Sequence, residues 1–387
     1  MIKKQTIANL IFTICLFYIM MPWITAKYFF FNELISVMGL MMLMYKRFRI
    51  TYDVISISMV LLILWGGVHA ITSLPRMDSV YYYLRNLVIV YSMMAFFLGY
   101  FLFPYLGNFI RKVRKILRVY IGIFIFIRLP RLIFERFGMA TIFPALFKKA
   151  GWKWLPFMLI AMNLIYGFAY DSFTVILLAI FYFLLFISPG YKFFMQTVTV
   201  AFLVFTIVFI YLQPNLSLIA NRYDPRTEVG IYDVIRSHPI LSIDGNSTWR
   251  LVLWKQLIVD NFPGNIFGVG FGTPALKYYP VEDYNKVSSL PYVLGAHNSF
   301  VYLFGRLGIV YILLTLAIYL NIFREYYYHK KYYYANNQAL VFLSFFAVTM
   351  IALFNPALES PVYASGFWLV LGFTARCIAD RKRTAVA

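Results

Sequence analysis

Residues 298–323 read NSFVYLFGRLGIVYILLTLAIYLNIF. Crossing the hydrocarbon core of a bilayer takes about 20 apolar residues, and this run supplies them with a single charge inside it, Arg306. A charged side chain at that depth needs a partner or a polar cavity. Runs of the same kind recur at roughly 6–26, 29–45, 53–73, 80–104, 154–170, 172–188, 193–212, 337–354 and 362–378. The first is too long for a signal peptide and lacks a small-residue cleavage site, so it is predicted to be a retained helix. Of the 387 residues, 62% are hydrophobic and 13% charged, whereas a soluble domain is about half apolar and a quarter charged. The predicted fold is therefore all-α, a polytopic transmembrane bundle.

Charge orients the bundle. The chain carries a net +20. Segment 213–296 holds seven bases (Arg222, Arg226, Arg236, Arg250, Lys255, Lys277, Lys286) and seven acids (Asp224, Glu228, Asp233, Asp244, Asp260, Glu282, Asp283), so its net charge is zero. Short basic loops stay on the cytoplasmic side, which puts 213–296 on the outer side. The chain then divides into an N-terminal membrane bundle (1–212), an extracytoplasmic loop (213–296) and C-terminal membrane helices with a cytoplasmic tail (297–387). Residues 119–147 must be crossed an even number of times. Two short irregular spans there give about twelve in all, and a re-entrant element gives ten. The basic clusters flank spans, which argues against nucleic acid as a partner.

A loop of this length between spans is usually functional. Thr248-Trp249-Arg250-Leu251-Val252-Leu253-Trp254 is predicted to open an amphipathic helix, with Arg250 and Trp254 four apart on one face. A guanidinium is a planar fork matched to phosphate oxygens, and aromatic rings suit sugar faces. Gly268-Val269-Gly270-Phe271-Gly272 lacks the Lys-Ser/Thr of a phosphate loop and reads as a flexible turn. The loop closes with Gly295-Ala296-His297-Asn298, which places His297 at a helix N-terminus. The dipole there favours neutral imidazole, able to accept a proton. An ordinary imidazole makes activity fall as pH drops through about 6.5. Gly308 follows His297 by eleven residues and Gly305 by eight. The spacing to Gly308, three helical turns, predicts a small-residue face that seats the His297 helix. Cys15 and Cys377 read as small core residues. No motif for a metal or cofactor is present.

His297-Asn298, nine residues, then Gly308-Ile309-Val310-Tyr311 resembles the H-[NSQ]-x9-G-x-x-[GTY] signature of the bacterial O-antigen ligase and polymerase superfamily. Arg250 and Trp254, then Pro263-Gly264 and the glycine run, are similar to that family's loop pattern. The specific likeness covers about residues 248–311. Position 254 is Trp where the family's Arg-x3-Leu variant has Leu. Asp171-Ser172-Phe173 stands where the family often has a Ser-Arg pair. The resemblance implies a multi-pass protein of the bacterial cytoplasmic membrane with its site on the outer side. It implies inverting glycosyl transfer without metal or other cofactor. The donor would be an undecaprenyl-diphosphate-linked oligosaccharide. The acceptor would be the next lipid-linked repeat (polymerase) or a lipid A–core sugar (ligase). A chain-length regulator would be a further partner.

By that resemblance His297 is the general base and Arg250 neutralises the leaving diphosphate. Arg85, Arg128 and Arg131 are further candidate cations, and Trp254 and Asn298 join the candidate substrate contacts. The polymerase is the leading reading and the ligase its nearest rival. A lipid-linked glycan flippase or transporter is the alternative from another class. Transporters of that kind usually show repeat-related halves around a central polar cavity, and the sequence carries neither sign.

Overall fold

The computed structural model describes residues 4–20, 31–45, 49–128, 180–181, 183–184, 190–222, 245–260, 266–273, 275, 295–336, 338–360 and 363–386. Among them every regular element is helical. The helices are α1 (Lys4–Met20), α2 (Phe31–Met44), α3 (Val54–Ser73), α4 (Val80–Tyr91), α5 (Ala95–Arg128), α6 (Tyr191–Arg222), α7 (Gly245–Lys255), α8 (Ser299–Ala335), α9 (Ala339–Phe354) and α10 (Ala364–Val386). Among the described residues four stretches are long and apolar enough to cross a membrane: Val54–Arg76, Val80–Phe109, Tyr191–Ser217 and Ser299–Ala335. Asn32–Met44 and Ala339–Phe354 are shorter apolar helices.

Local chemistry sets several helix starts. Asp53 accepts the Ser56 N–H at 2.9 Å and caps α3, and Ser79 caps α4 through the Tyr82 N–H. Asn298 caps α8, its side chain accepting from Phe300 N and Val301 N at 3.0 and 3.1 Å. Such caps satisfy N–H groups that a helix leaves open at its first turn. Where helices cross closely, glycine makes room. A Cβ at Gly99 would strike the Leu369 carbonyl, and one at Gly372 would strike the Phe96 carbonyl, so α5 and α10 meet nearly backbone to backbone.

Three expectations change. The span at 193–212 was to end before Pro214. α6 instead carries Pro214 inside it and continues to Arg222, so the first ten residues of the expected loop are helical; the sequence left to it, 223–296, holds seven acids against six bases. The span expected at 80–104 is exceeded as well: α5 runs through the basic stretch 111–118, whose Arg, Lys, Leu and Ile residues are adequate helix formers, to Arg128. Residues 119–128 thus continue the same helix, while 129–147 and the expected spans 154–170 and most of 172–188 lie outside the described residues.

The third change concerns the glycines. Gly308 is not part of a smooth packing face. Its φ of 69° and ψ of −159° break α8, and a Cβ there would strike the backbone of Ile266 and Phe267. The break frees carbonyls inside the bundle, where an unpaired polar group is costly. Each finds a donor. Gly305 O accepts from Val269 N and Arg306 O from Gly270 N, both at 3.0 Å, while Leu307 O accepts from the Trp65 indole at 2.7 Å. Ile309 N in turn donates to Ile266 O at 2.8 Å. The glycine run expected as a flexible turn is therefore docked backbone on the broken helix. Gly268, Gly270 and Gly272 all have φ between 74° and 91°, a region that glycine enters readily. Phe271 N donates to Ser73 Oγ at 2.8 Å and Asp78 N to Gly272 O at 2.9 Å, which ties the run to the ends of α3 and α4.

Arg306 locks this arrangement. It is fully buried, and all five of its N–H groups have acceptors. Nε and one Nη2 proton reach Tyr302 OH, at 3.1 and 2.9 Å. The other Nη2 proton reaches Tyr82 OH, and Nη1 donates to the carbonyls of Gly270 and Thr273. Tyr302 OH passes its own proton to Asn86 Oδ1 at 3.0 Å. The partner that the sequence demanded for this cation is a cage of hydroxyls and carbonyls.

Candidate functional site

The site assembles where α3 ends, α4 and α8 begin, and the turn between α9 and α10 returns. His297 sits at its centre with φ 51°. A non-glycine residue in the left-handed region is strained by roughly 1–3 kcal/mol and persists only where its surroundings hold it. Both neighbours do so. Before it, Ala296 O accepts the Trp254 indole N–H at 2.7 Å. After it, Asn298 is extended and engaged in the α8 cap.

The ring meets Trp249 edge to face, with centroids 5.0 Å apart and planes at 68°. Burial, and after it the charge of Arg250, push the His297 imidazole down to about 4. The ring is neutral at physiological pH. From sequence the neutral ring was expected of the α8 N-terminus; the causes here are burial and Arg250, and the titration lies well below the ordinary value near 6.5.

Trp249, Arg250 and Trp254 come from α7. This helix is not an amphipathic surface helix: Trp249, Val252, Leu253, Trp254 and Lys255 are all buried. Leu257, in the turn Gln256–Asp260 that follows, presses on Gly305 of α8. Trp254 lies against Phe205 of α6, ring centroids 6.2 Å apart, with its N–H engaged at Ala296. It stands behind His297 as a support. Arg250 is half-buried beside the imidazole. Asn298 is buried, and its side-chain oxygen serves the helix cap.

Arg85, half-buried on α4, comes close enough for its charge to favour the carboxylate of Glu359. Arg128 is not brought to this group. It ends α5, beyond Tyr100, whose hydroxyl meets Thr51 at the start of α3, the opposite end of the bundle. Arg131 lies outside the described residues.

Glu359 and Ser299 were missed from sequence. Glu359 is 7% exposed, in the turn between α9 and α10. One carboxylate oxygen accepts from Ser299 Oγ at 2.6 Å. Burial raises the carboxyl to about 7, with the Ser299 bond, backbone N–H groups and the Arg85 charge opposing. Counting spans would have found it. Two helices after His297 the chain returns to the same end, and Glu359 is the only acid in the short stretch 355–363.

At the other end, a cavity of about 510 Å³ is lined by Asn321, Arg324, Glu325, Tyr328, His329, Arg381 and Lys382. It is a bundle length from His297 and takes no part in this site. No protein-family model, curated protein or solved structure matches the chain.

Proposed function

We propose that the chain is a membrane glycosyltransferase that transfers a glycan from undecaprenyl diphosphate to the next lipid-linked repeat, polymerising O-antigen or exopolysaccharide. The observation that carries this reading is the pairing of a neutral, strained, well-held imidazole with the Arg250 guanidinium, under the edge of Trp249. Glycosyl transfer from a diphosphate needs a base and a cation at one place. His297 takes the proton of the acceptor hydroxyl as that oxygen attacks the anomeric carbon. The bond from that carbon to the diphosphate oxygen breaks with inversion, and Arg250 stabilises the charge left on the diphosphate.

The electrostatics support an order of events. Arg250 disfavours imidazolium. A bound diphosphate offsets that charge, so the base strengthens once the donor is seated. The proposed membrane arrangement has about twelve spans with the His297 end outside. Its support is the charge pattern: Arg324, Lys330, Lys331, Arg381, Lys382 and Arg383 crowd the other end of α8 and α10, while residues 223–296 are nearly balanced.

The test is chain extension by the purified protein on undecaprenyl-diphosphate repeats, with lipid A–core offered in parallel. His297→Ala should lower turnover by roughly 10²–10⁴-fold, the usual share of a general base. Arg250→Lys should lose most activity, because a point charge does not reproduce the fork. Transfer to lipid A–core alone makes the protein a ligase. Polymer built by His297→Ala at the wild-type rate sinks the reading.

A further inference from the structure

The cavity at the far end of the bundle has no part in the proposed reaction, yet it is a built hollow with charge to spare. Its walls come from the later part of α8 and the end of α10. At His329 the α8 backbone leaves helical values, with φ −122° and ψ 19°. The helix bends there, and residues eight apart meet. Tyr333 OH donates to Glu325 Oε1 at 2.9 Å, and the hydroxyls of Tyr326 and Tyr334 lie 3.4 Å apart. Arg381 reaches across from α10 and pairs its Nε with Glu325 Oε1 at 2.5 Å. The bend and this ion pair fix the wall. About 510 Å³ stays open beside it, a volume in the range of small-molecule sites.

Glu325 is the one acid lining the hollow, and Arg381 and Tyr333 already engage it. Against it stand Arg324, Arg381 and Lys382. Three bases against one acid leave the lining at +2, with His329 counted as neutral. Arg324 and Lys382 form no ion pair among the described residues. A concave surface of one sign concentrates the opposite charge. The guanidinium fork matches phosphate oxygens, and an ammonium adds a point charge.

Depth in the membrane names the source of that phosphate. Arg324 stands 25 residues after Ser299, about 37 Å along the helix at 1.5 Å per residue. A hydrocarbon core of about 30 Å ends before it, so the hollow lies among the headgroups. Tyrosines gather there as at a bilayer interface: Tyr328 is exposed, and the Tyr191 ring at the start of α6 meets those of Tyr327 and Tyr328 at 6.1 and 6.0 Å. In the membrane arrangement proposed above, this end faces the cytoplasmic leaflet, whose anionic lipids attract basic segments.

We propose that the hollow binds the phosphate of an anionic phospholipid headgroup: Arg324 from α8 and Lys382 from α10 close on it, over the wall that Glu325 and Arg381 fix. A lipid so held ties the ends of the two helices together. The proposal stands apart from the glycosyl-transfer reading and needs only that the chain spans a membrane in the arrangement given.

Native mass spectrometry of the full-length protein, released from neutral detergent, counts bound lipid. Phosphatidylglycerol should fill one site. Phosphatidylcholine, whose phosphate is balanced by choline, should leave that site empty at the same concentration. Arg324→Gln combined with Lys382→Gln should weaken phosphatidylglycerol binding on the order of 10–100-fold. Both side chains are exposed, so the melting temperature in detergent should hold. Lys382→Glu, which adds a second acid to the hollow, should abolish the site. Arg111→Gln combined with Lys112→Gln removes the same charge from an exposed pair on α5 and should leave the site intact. Equal loss in the α5 variant makes the attraction diffuse surface charge and overturns the proposal, and so does equal uptake of phosphatidylcholine. Displacement of phosphatidylglycerol by the same concentration of inorganic phosphate gives the hollow to a soluble phosphate and overturns the lipid assignment.

Discussion

Arg306 and Glu359 are both buried charges, 0% and 7% exposed, and they differ in what is left over. Every N–H of Arg306 meets an acceptor, and the hydroxyls that receive them belong to α4 and to α8 itself. Nothing about it remains to bind a ligand. Glu359 has one oxygen tied to Ser299, while the other is packed beside Gly295 and has no hydrogen-bond partner among the described residues. Burial alone does not separate structure from function. The saturation of the polar group is what differs: a completed network rigidifies, and an incomplete one leaves a buried acceptor without its hydrogen bond.

The hardest blow to this contrast is aimed at Arg306. Arg306→Leu removes the hub from two tyrosine hydroxyls and two carbonyls. It should destabilise the protein by roughly 3–5 kcal/mol, the range for removing one partner of a buried charged network. Arg306→Lys should rescue little, since three donors replace five in another geometry. Thermal unfolding and yield in detergent measure both. A stable but inactive Arg306→Leu protein would move Arg306 from structure to chemistry and break the comparison.

Gly308→Ala strikes the same region through the backbone. Its φ of 69° and ψ of −159° lie where residues with a Cβ are strained by roughly 1–3 kcal/mol, before the contact with Ile266 and Phe267 is counted. Stability should fall by at least that much, and activity with it, because the glycine run docked there is tied to α3 and α4 beside the site. Wild-type stability would show that the break is not needed.

Sequence reading brought forward the apolar helices, and His297 and Arg250 as candidates, because each leaves a one-dimensional mark: a run length, a charge balance, a residue at a span boundary. It mistook the glycines. Gly308 stands eleven residues from His297, which fits three helical turns, and spacing cannot reveal a positive φ. Gly268 to Gly272 read as a turn because its partners, Ser73, Asp78, Gly305 and Arg306, are distant in sequence. Glu359 went unnoticed for the same reason. The order of titration was also hidden. Ordinary values place imidazole above carboxyl, but burial lowers His297 to about 4 and raises Glu359 to about 7. The fall in activity expected near 6.5 from an ordinary imidazole is thereby moved: in the free protein the His297 titration lies near 4, and a bound diphosphate would raise it by offsetting the Arg250 charge.

The smallest effect is expected at Trp254, and it decides between two roles for that ring. As a sugar platform, Trp254 would act through its aromatic face, and phenylalanine would keep much of the effect. As a support, it acts through one hydrogen bond, the 2.7 Å contact to Ala296 O, directly before the strained His297. Trp254→Phe removes that donor and leaves a carbonyl unpaired beside the site, at about 1–3 kcal/mol. Its position, buried and with its N–H engaged, favours the support. The variant should therefore lose a little stability and several-fold in kcat, because a small displacement of a catalytic group slows the chemical step. The donor KM should stay near wild type, as Arg250, the group proposed to hold the diphosphate, is not touched. A raised KM at unchanged kcat would return Trp254 to the substrate and leave the left-handed turn at His297 to be held by Asn298 and the α8 cap alone.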